Sequence, residues 1–177
     1  MALPVTPAGE GRLAPGRSFP DAELLDHAGN RRRLSELVGS DPAVLHFYRG
    51  WWCPKDQAFF RRLIHLQEDM EVAYARLISI SVDAPETAAA LRAGLGARWT
   101  FLSDRDRALQ LELGLRESTD TVHDPYVPAV FTVFPDLTVH RGYDGYWYWG
   151  RPSNEELRQD LRDISRAIRP DWEAPAR

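Results

Sequence analysis

Apolar positions along this chain fall into short runs, and two spacings alternate between them. Ala43 to Tyr48 (A-V-L-H-F-Y) and Leu77 to Val82 (L-I-S-I-S-V) are near-continuous apolar runs of strand length, the pattern of strands buried on both faces. Between them, from Pro54 to about Met70, the spacing turns helical, with Phe60, Leu63 and Ile64 on one face. Asp83-Ala84-Pro85-Glu86 predicts a second helix, with Asp83 as its cap and the proline in its first turn. Asp104 predicts the cap of another helix running through Leu113. Ala22 to Leu25 and Arg31 to Leu34 flank the turn Ala28-Gly29-Asn30 and predict an N-terminal β-hairpin. Ala129 to Phe134 and Thr138 to Tyr143 enclose Pro135-Asp136-Leu137 and predict a second, antiparallel hairpin. Ser153 and Glu156 form a capping box for a last helix, in which Leu157, Leu161, Ile164 and Ile168 make a core-facing stripe that Pro170 ends.

Strands and helices in this order predict an α/β domain over residues 17–170, with loose tails at 1–16 and 171–177. A chain of 177 residues, 44% hydrophobic and 27% charged, is long enough for one sizeable core and has the composition of a soluble globular domain. The net charge of -4 supplies no basic field for a phosphate backbone, so no nucleic-acid partner is expected. Arg31 to Arg33 reads as solvated surface. No run is long enough to span a bilayer, and Met1 to Gly16 lacks a continuous apolar segment, so no membrane partner is expected either. The five histidines show no ligand spacing and there is no phosphate loop, so neither a metal nor another cofactor is expected. One cysteine excludes an intrachain disulfide and points to a reducing, cytoplasmic compartment.

That cysteine, Cys53, carries the chemistry. It sits in F-Y-R-G-W-W-C-P-K-D (Phe47 to Asp56), where an apolar run gives way to a helical pattern. The unpaired N–H groups and positive dipole end of a helix stabilise thiolate over thiol. The competing reading is an inert buried hydrophobe. Gly50 and Pro54 suit an open turn into a helix, so the sulfur is expected to be at least partly accessible, with Trp52 and Pro54 beside it. Arg49 ends the strand next to the thiol and is a candidate catalytic cation. Asp56, one turn on, either closes a capping box onto the Cys53 N–H or accepts the thiol proton. Lys55 is the chain's one lysine, either favouring thiolate or pointing into solvent. His46 reads as a core histidine. Downstream, Tyr143 to Arg151 (Y-D-G-Y-W-Y-W-G-R) packs five aromatics into nine residues. Three readings stand for it: a cap on the core, a binding surface for an apolar substrate centred on Trp147, or a homodimer contact.

F-Y-R-G-W-W-C-P at Phe47 to Pro54, S-V-D at Ser81 to Asp83 and V-P-A-V-F-T-V at Val127 to Val133 together resemble the peroxiredoxin-like branch of the thioredoxin-fold superfamily, the alkyl hydroperoxide reductase and thiol-specific antioxidant group. The resemblance implies a thioredoxin-like fold with a central mixed sheet flanked by helices. It implies that Cys53 attacks a peroxide or disulfide substrate, passing through a sulfenic acid or mixed disulfide, and that an external thiol regenerates it. It also implies a cis Val127–Pro128 bond across from the thiol, with backbone groups that pair with substrate. The chain departs from the family pattern in three ways. Gly50 stands where a threonine or serine would orient the peroxide, Pro128 and Ala129 where an arginine would polarise it, and Asp56 where a C-x-x-C motif would have its second thiol. Slow peroxide turnover is therefore expected. The alternatives are a non-redox binding or assembly protein on the same fold, or a monothiol disulfide reductase.

Overall fold

The two apolar runs form β3 (Ala43–Phe47) and β4 (Arg76–Ser81), which pair in parallel with Leu45 opposite Ile78. A parallel pair needs a crossover, and α2 (Pro54–Val72) supplies it. The computed structural model describes residues 13–172. Before β3 come β1 (Glu23–Asp26), β2 (Arg31–Arg33) and α1 (Leu34–Val38). After β4 come α3 (Pro85–Leu95), β5 (Thr100–Ser103), α4 (Ala108–Leu113), β6 (Ala129–Val133), β7 (Val139–Asp144) and α5 (Asn154–Ile168). The strands make one mixed sheet in the order β2-β1-β5-β4-β3-β6-β7, with β3, β4 and β5 parallel and β6 antiparallel to β3.

Alternate residues of the central strands serve two cores. Leu45, Phe47, Ile78, Ile80 and Phe131 face one core, which α1 and α4 help close with Leu34, Val38, Leu109 and Leu113. Val44, Leu77, Phe101 and Val130 face the other, filled by Phe59, Phe60 and Leu63 of α2 and by Leu157 and Leu161 of α5. Ser153 and Glu156 make the reciprocal capping box at the start of α5. Among the described residues, no helix is long and apolar enough to cross a membrane. The loose tails expected at 1–16 and 171–177 lie mostly outside the described residues. Within 1–16, Leu13 packs on the first core and the Gly16 N–H donates to the Val139 carbonyl at 2.8 Å.

Three local expectations change. Leu34 opens the five-residue α1 instead of ending a strand, because Leu34 and Val38 are both buried by one helical turn. β5 is a four-residue strand between β1 and β4, too short for its alternation to stand out beside Arg98 and Asp104. Asp83 does not cap α3. Ala84 holds the cap position without a side-chain bond, and the Asp83 carboxylate instead accepts the Trp51 N–H at 2.9 Å. Asp104 does serve α4, accepting the amides of Leu109 at 3.2 Å and Gln110 at 2.8 Å.

Candidate thiol site

β3 ends at Phe47, and the chain turns through Gly50–Trp52 before Cys53 caps α2 with Pro54 in its first turn. The Cys53 N–H donates to the Gly50 carbonyl at 3.2 Å, and the Gln57 side-chain amide ties off the Trp51 carbonyl at 2.6 Å. The helix-terminus placement holds. The expected accessibility does not: Cys53 is 2% exposed. Gly50 and Pro54 describe the backbone of the turn, whereas exposure of the sulfur depends on the packing around it, which includes an Arg49 side chain held from a distant loop.

Arg49 links that loop to the thiol. Its Nη1 lies 4.0 Å from the Cys53 sulfur, and its Nη2 donates to Glu117 at 3.2 Å and to Asp120 at 3.1 Å. Its Nε is buried without a hydrogen-bond partner. The Arg49 backbone N–H donates to Asp56 Oδ2 at 2.6 Å, and Asp56 Oδ1 accepts from Arg151 Nε at 2.8 Å and Nη2 at 2.5 Å. Asp56 is therefore neither a capping-box acid on the Cys53 N–H nor aimed at the thiol. It is a buried joint between the end of β3 and Arg151, because a carboxylate taken out of water at that depth requires a charged partner. Arg151 was not legible as a site residue. Its one sequence signal is its position at the end of the aromatic segment, and its partner is 95 residues away.

The 117–124 loop carries the remaining charges. Burial pushes the Glu117 carboxyl up, but hydrogen bonds from Thr119 and Tyr146 together with the Arg49 charge leave it below its ordinary value. The His123 backbone N–H leads the interactions that hold Asp120 below its ordinary value. His123 Nδ1 lies 3.0 Å from Asp120 Oδ2, and its ring stacks on Trp52 with centroids 3.8 Å apart. The Arg49 guanidinium lies 4.9 Å from the Trp52 ring. His123, a loop histidine by sequence, thus reaches the thiol turn through Trp52. His46 is fully enclosed, with Nδ1 at 3.0 Å from the Ser79 hydroxyl and Phe59 and Phe60 edge-on to its ring.

Ala129 registers with Phe47, so Pro128 runs alongside the start of the thiol turn. The Val127–Pro128 bond is not cis: among the described residues no peptide bond is. The backbone groups expected to pair with substrate are already in use. The Val127 N–H donates to the Leu115 carbonyl at 2.7 Å, and the Pro128 carbonyl accepts the Gly145 N–H at 3.0 Å. Gly150 lies so close to this strand that a Cβ there would overlap the Pro128 and Gly145 carbonyl oxygens. Of the five aromatics in the segment, Tyr143 packs against the second core, whereas Tyr146, Trp147, Tyr148 and Trp149 are exposed and do not cap it. The segment does come to the thiol side. The Lys55 ammonium sits 3.7 Å from the Trp147 ring centroid, and Arg151 Nη1 donates to the Trp147 carbonyl at 3.3 Å. Neither Lys55 nor Pro54 is buried.

The AhpC/TSA family model matches residues 15–141. Among curated proteins none is significantly similar in sequence. Solved structures that share the fold include peroxidoxin BcpB from Mycobacterium tuberculosis, at 22% identity and a TM-score of 0.76 over 85% of this chain and 97% of that one. AhpC from Enterococcus faecalis follows at 16% identity and 0.73, covering 91% and 98%. Peroxiredoxin Q from Xanthomonas campestris is similar at 17% identity and 0.69, covering 81% and 90%. The sheet order and flanking helices are those of a thioredoxin-like fold of the peroxiredoxin kind. Arg151 and the exposed rings lie beyond the matched residues.

Proposed function

This chain belongs to the AhpC/TSA family, and from that premise we propose that it is a single-cysteine thiol peroxidase in which Arg49 replaces the arginine absent at Pro128. The observation that carries this reading is the Arg49 guanidinium, 4.0 Å from the sulfur and fixed by two carboxylates. Cys53, as thiolate, attacks one oxygen of R–O–O–H. An S–O bond forms and the O–O bond breaks. Sulfur loses two electrons and becomes sulfenic acid, while the departing oxygen takes a proton and leaves as alcohol or water. Arg49 stabilises the charge that develops on that oxygen. One external thiol then condenses with the sulfenic acid and releases water, and a second reduces the mixed disulfide to restore Cys53. The depth of the sulfur favours a peroxide over a disulfide as the first substrate, since two oxygen atoms need less room than a second sulfur and its substituents.

In this reading Asp56 positions Arg49 through its backbone N–H. Trp52, Pro54, Val127 and Pro128 form the walls around the peroxide, and Trp147 extends the rim where an organic substituent R would lie. The lone thiol and the need for an external reductant fit a reducing, cytoplasmic setting. Four exposed rings at 146–149 support a second reading of that rim as a homodimer contact, which sedimentation of wild type against Trp147→Ala distinguishes. The main test is mass spectrometry of Cys53 after graded hydrogen peroxide. Sulfenic acid should form in the wild type and form on the order of 10²-fold more slowly in Arg49→Met. A wild-type thiol left unmodified by peroxide would overturn the peroxidase reading, and equal rates in the two proteins would remove Arg49 from it.

A further inference from the structure

The space above Gly50 holds a second candidate donor. A Cβ built on Gly50 would overlap Nε1 of Trp52 and come within 3.0 Å of its Cδ1 and Cε2. The N–H edge of the indole therefore occupies the volume that any side chain at position 50 would fill. Gly50 itself faces the thiol residue across the turn, its carbonyl accepting the Cys53 N–H, and the Arg49 guanidinium lies 4.0 Å from the sulfur and 4.9 Å from the Trp52 ring. We propose that the Trp52 indole N–H donates a hydrogen bond to the peroxide bound at Cys53, taking the place of the hydroxyl side chain that position 50 lacks. This inference rests on the peroxidase reading above.

Two observations support it. The indole is held in place: it stacks on His123 with an interplanar angle of 20°, and His123 is fixed by Asp120, the same carboxylate that fixes Arg49 Nη2. One anchor thus sets both the guanidinium and the indole. The indole N–H is also available. Three backbone donors of the turn are engaged, with the Arg49 N–H on Asp56, the Trp51 N–H on Asp83 and the Cys53 N–H on Gly50. Among the described residues the indole N–H has no acceptor. Indole nitrogen donates and does not accept, so it has one use beside a peroxide: a hydrogen bond to the oxygen on which charge develops as the O–O bond breaks. It keeps its proton throughout, and the proton that completes the alcohol or water comes from solvent. The glycine at 50 and the tryptophan at 52 are then one device, since a threonine at 50 and this indole cannot occupy the same space.

The test compares the rate of Cys53 sulfenic acid formation by hydrogen peroxide with the rate of its alkylation by iodoacetamide. The proteins are the wild type, Trp52→Phe and Trp52→Ala. Phenylalanine keeps a ring against His123 and removes the N–H. Its peroxide rate should fall on the order of 10²-fold while alkylation stays near the wild-type rate. Alanine also removes the ring that stacks on His123, and its peroxide rate should be no higher than that of Trp52→Phe. Wild-type peroxide rates in Trp52→Phe would overturn the proposal. So would a parallel fall in both rates, which marks loss of access or folding. A wild type inert to peroxide would overturn the peroxidase reading first, and this inference with it.

Discussion

Replacing Arg151 with methionine tests whether the joint under the thiol turn is an ion pair or only packing. Asp56 and Arg151 are 1% and 5% exposed. Of the three donors on the Asp56 carboxylate, two come from Arg151 and one from the Arg49 backbone. Methionine keeps most of the apolar stem and removes both guanidinium donors, leaving a buried carboxylate with a single N–H. Breaking a buried pair in this way costs roughly 3–5 kcal/mol, a large part of the ~5–15 kcal/mol that holds a domain together. Asp56→Leu should cost a similar amount by stranding the guanidinium. The double variant, with neither charge, should be more stable than the two single losses predict, with a coupling of about 2–3 kcal/mol. Urea unfolding followed by far-UV circular dichroism at neutral pH gives the four free energies, and equal denaturant slopes confirm that the same transition is being compared. The Cys53 oxidation rate should fall in both single variants, because Asp56 orients Arg49. A loss in Arg151→Met below about 1 kcal/mol, or strict additivity in the cycle, would refute the reasoning.

Two further outcomes follow from the same geometry. Burial, with a smaller contribution from the Arg151 charge, pulls the His46 pKa down from 6.5 to about 3, so the folded protein resists a proton that the unfolded chain accepts. Stability from this group is complete above pH 6.5 and is lost as pH falls toward 3, by at most roughly 1.4 kcal/mol per pH unit. Urea midpoints between pH 7 and 5 should therefore fall more steeply in wild type than in His46→Gln, and equal slopes would contradict the burial argument. Gly150→Ala should destabilise by about 1–3 kcal/mol, the cost of overpacking, because the new methyl meets backbone carbonyls of Pro128 and Gly145 that are tied to one another through the Gly145 N–H. It should also slow Cys53 oxidation by displacing the adjacent Arg151. A variant with wild-type stability and reactivity would show that this strand gives way freely.

The main elements of the fold are legible in the sequence because they are written in local spacing, while the likeness to the peroxiredoxin-like branch rests on the motifs around Cys53, Ser81 and Val127. Two-faced apolar runs mark β3 and β4, helical spacing after Pro54 marks α2, and the Ser153–Glu156 box marks α5. The place of Cys53 at a helix start follows from the same signals, since strand end, turn and proline all lie within a few residues. What surrounds the sulfur does not follow from them. Asp83 and Asp56 looked like helix caps because capping is the nearest use for a carboxylate at a helix start, yet one holds the Trp51 amide and the other holds Arg151. The cis Val127–Pro128 bond was carried over from the family motif, and in the fold the strand's own N–H and carbonyl are bonded to Leu115 and Gly145. The accessibility expected of Cys53 rests on its neighbours in the chain, while in the fold its sulfur is buried and has Arg49 beside it, fastened by carboxylates about seventy residues away. Periodicity and caps act over one turn of helix or a few residues of strand, so the sequence alone determines them. Charge pairing and close packing depend on which distant segments the sheet order sets side by side, and only the tertiary structure decides that.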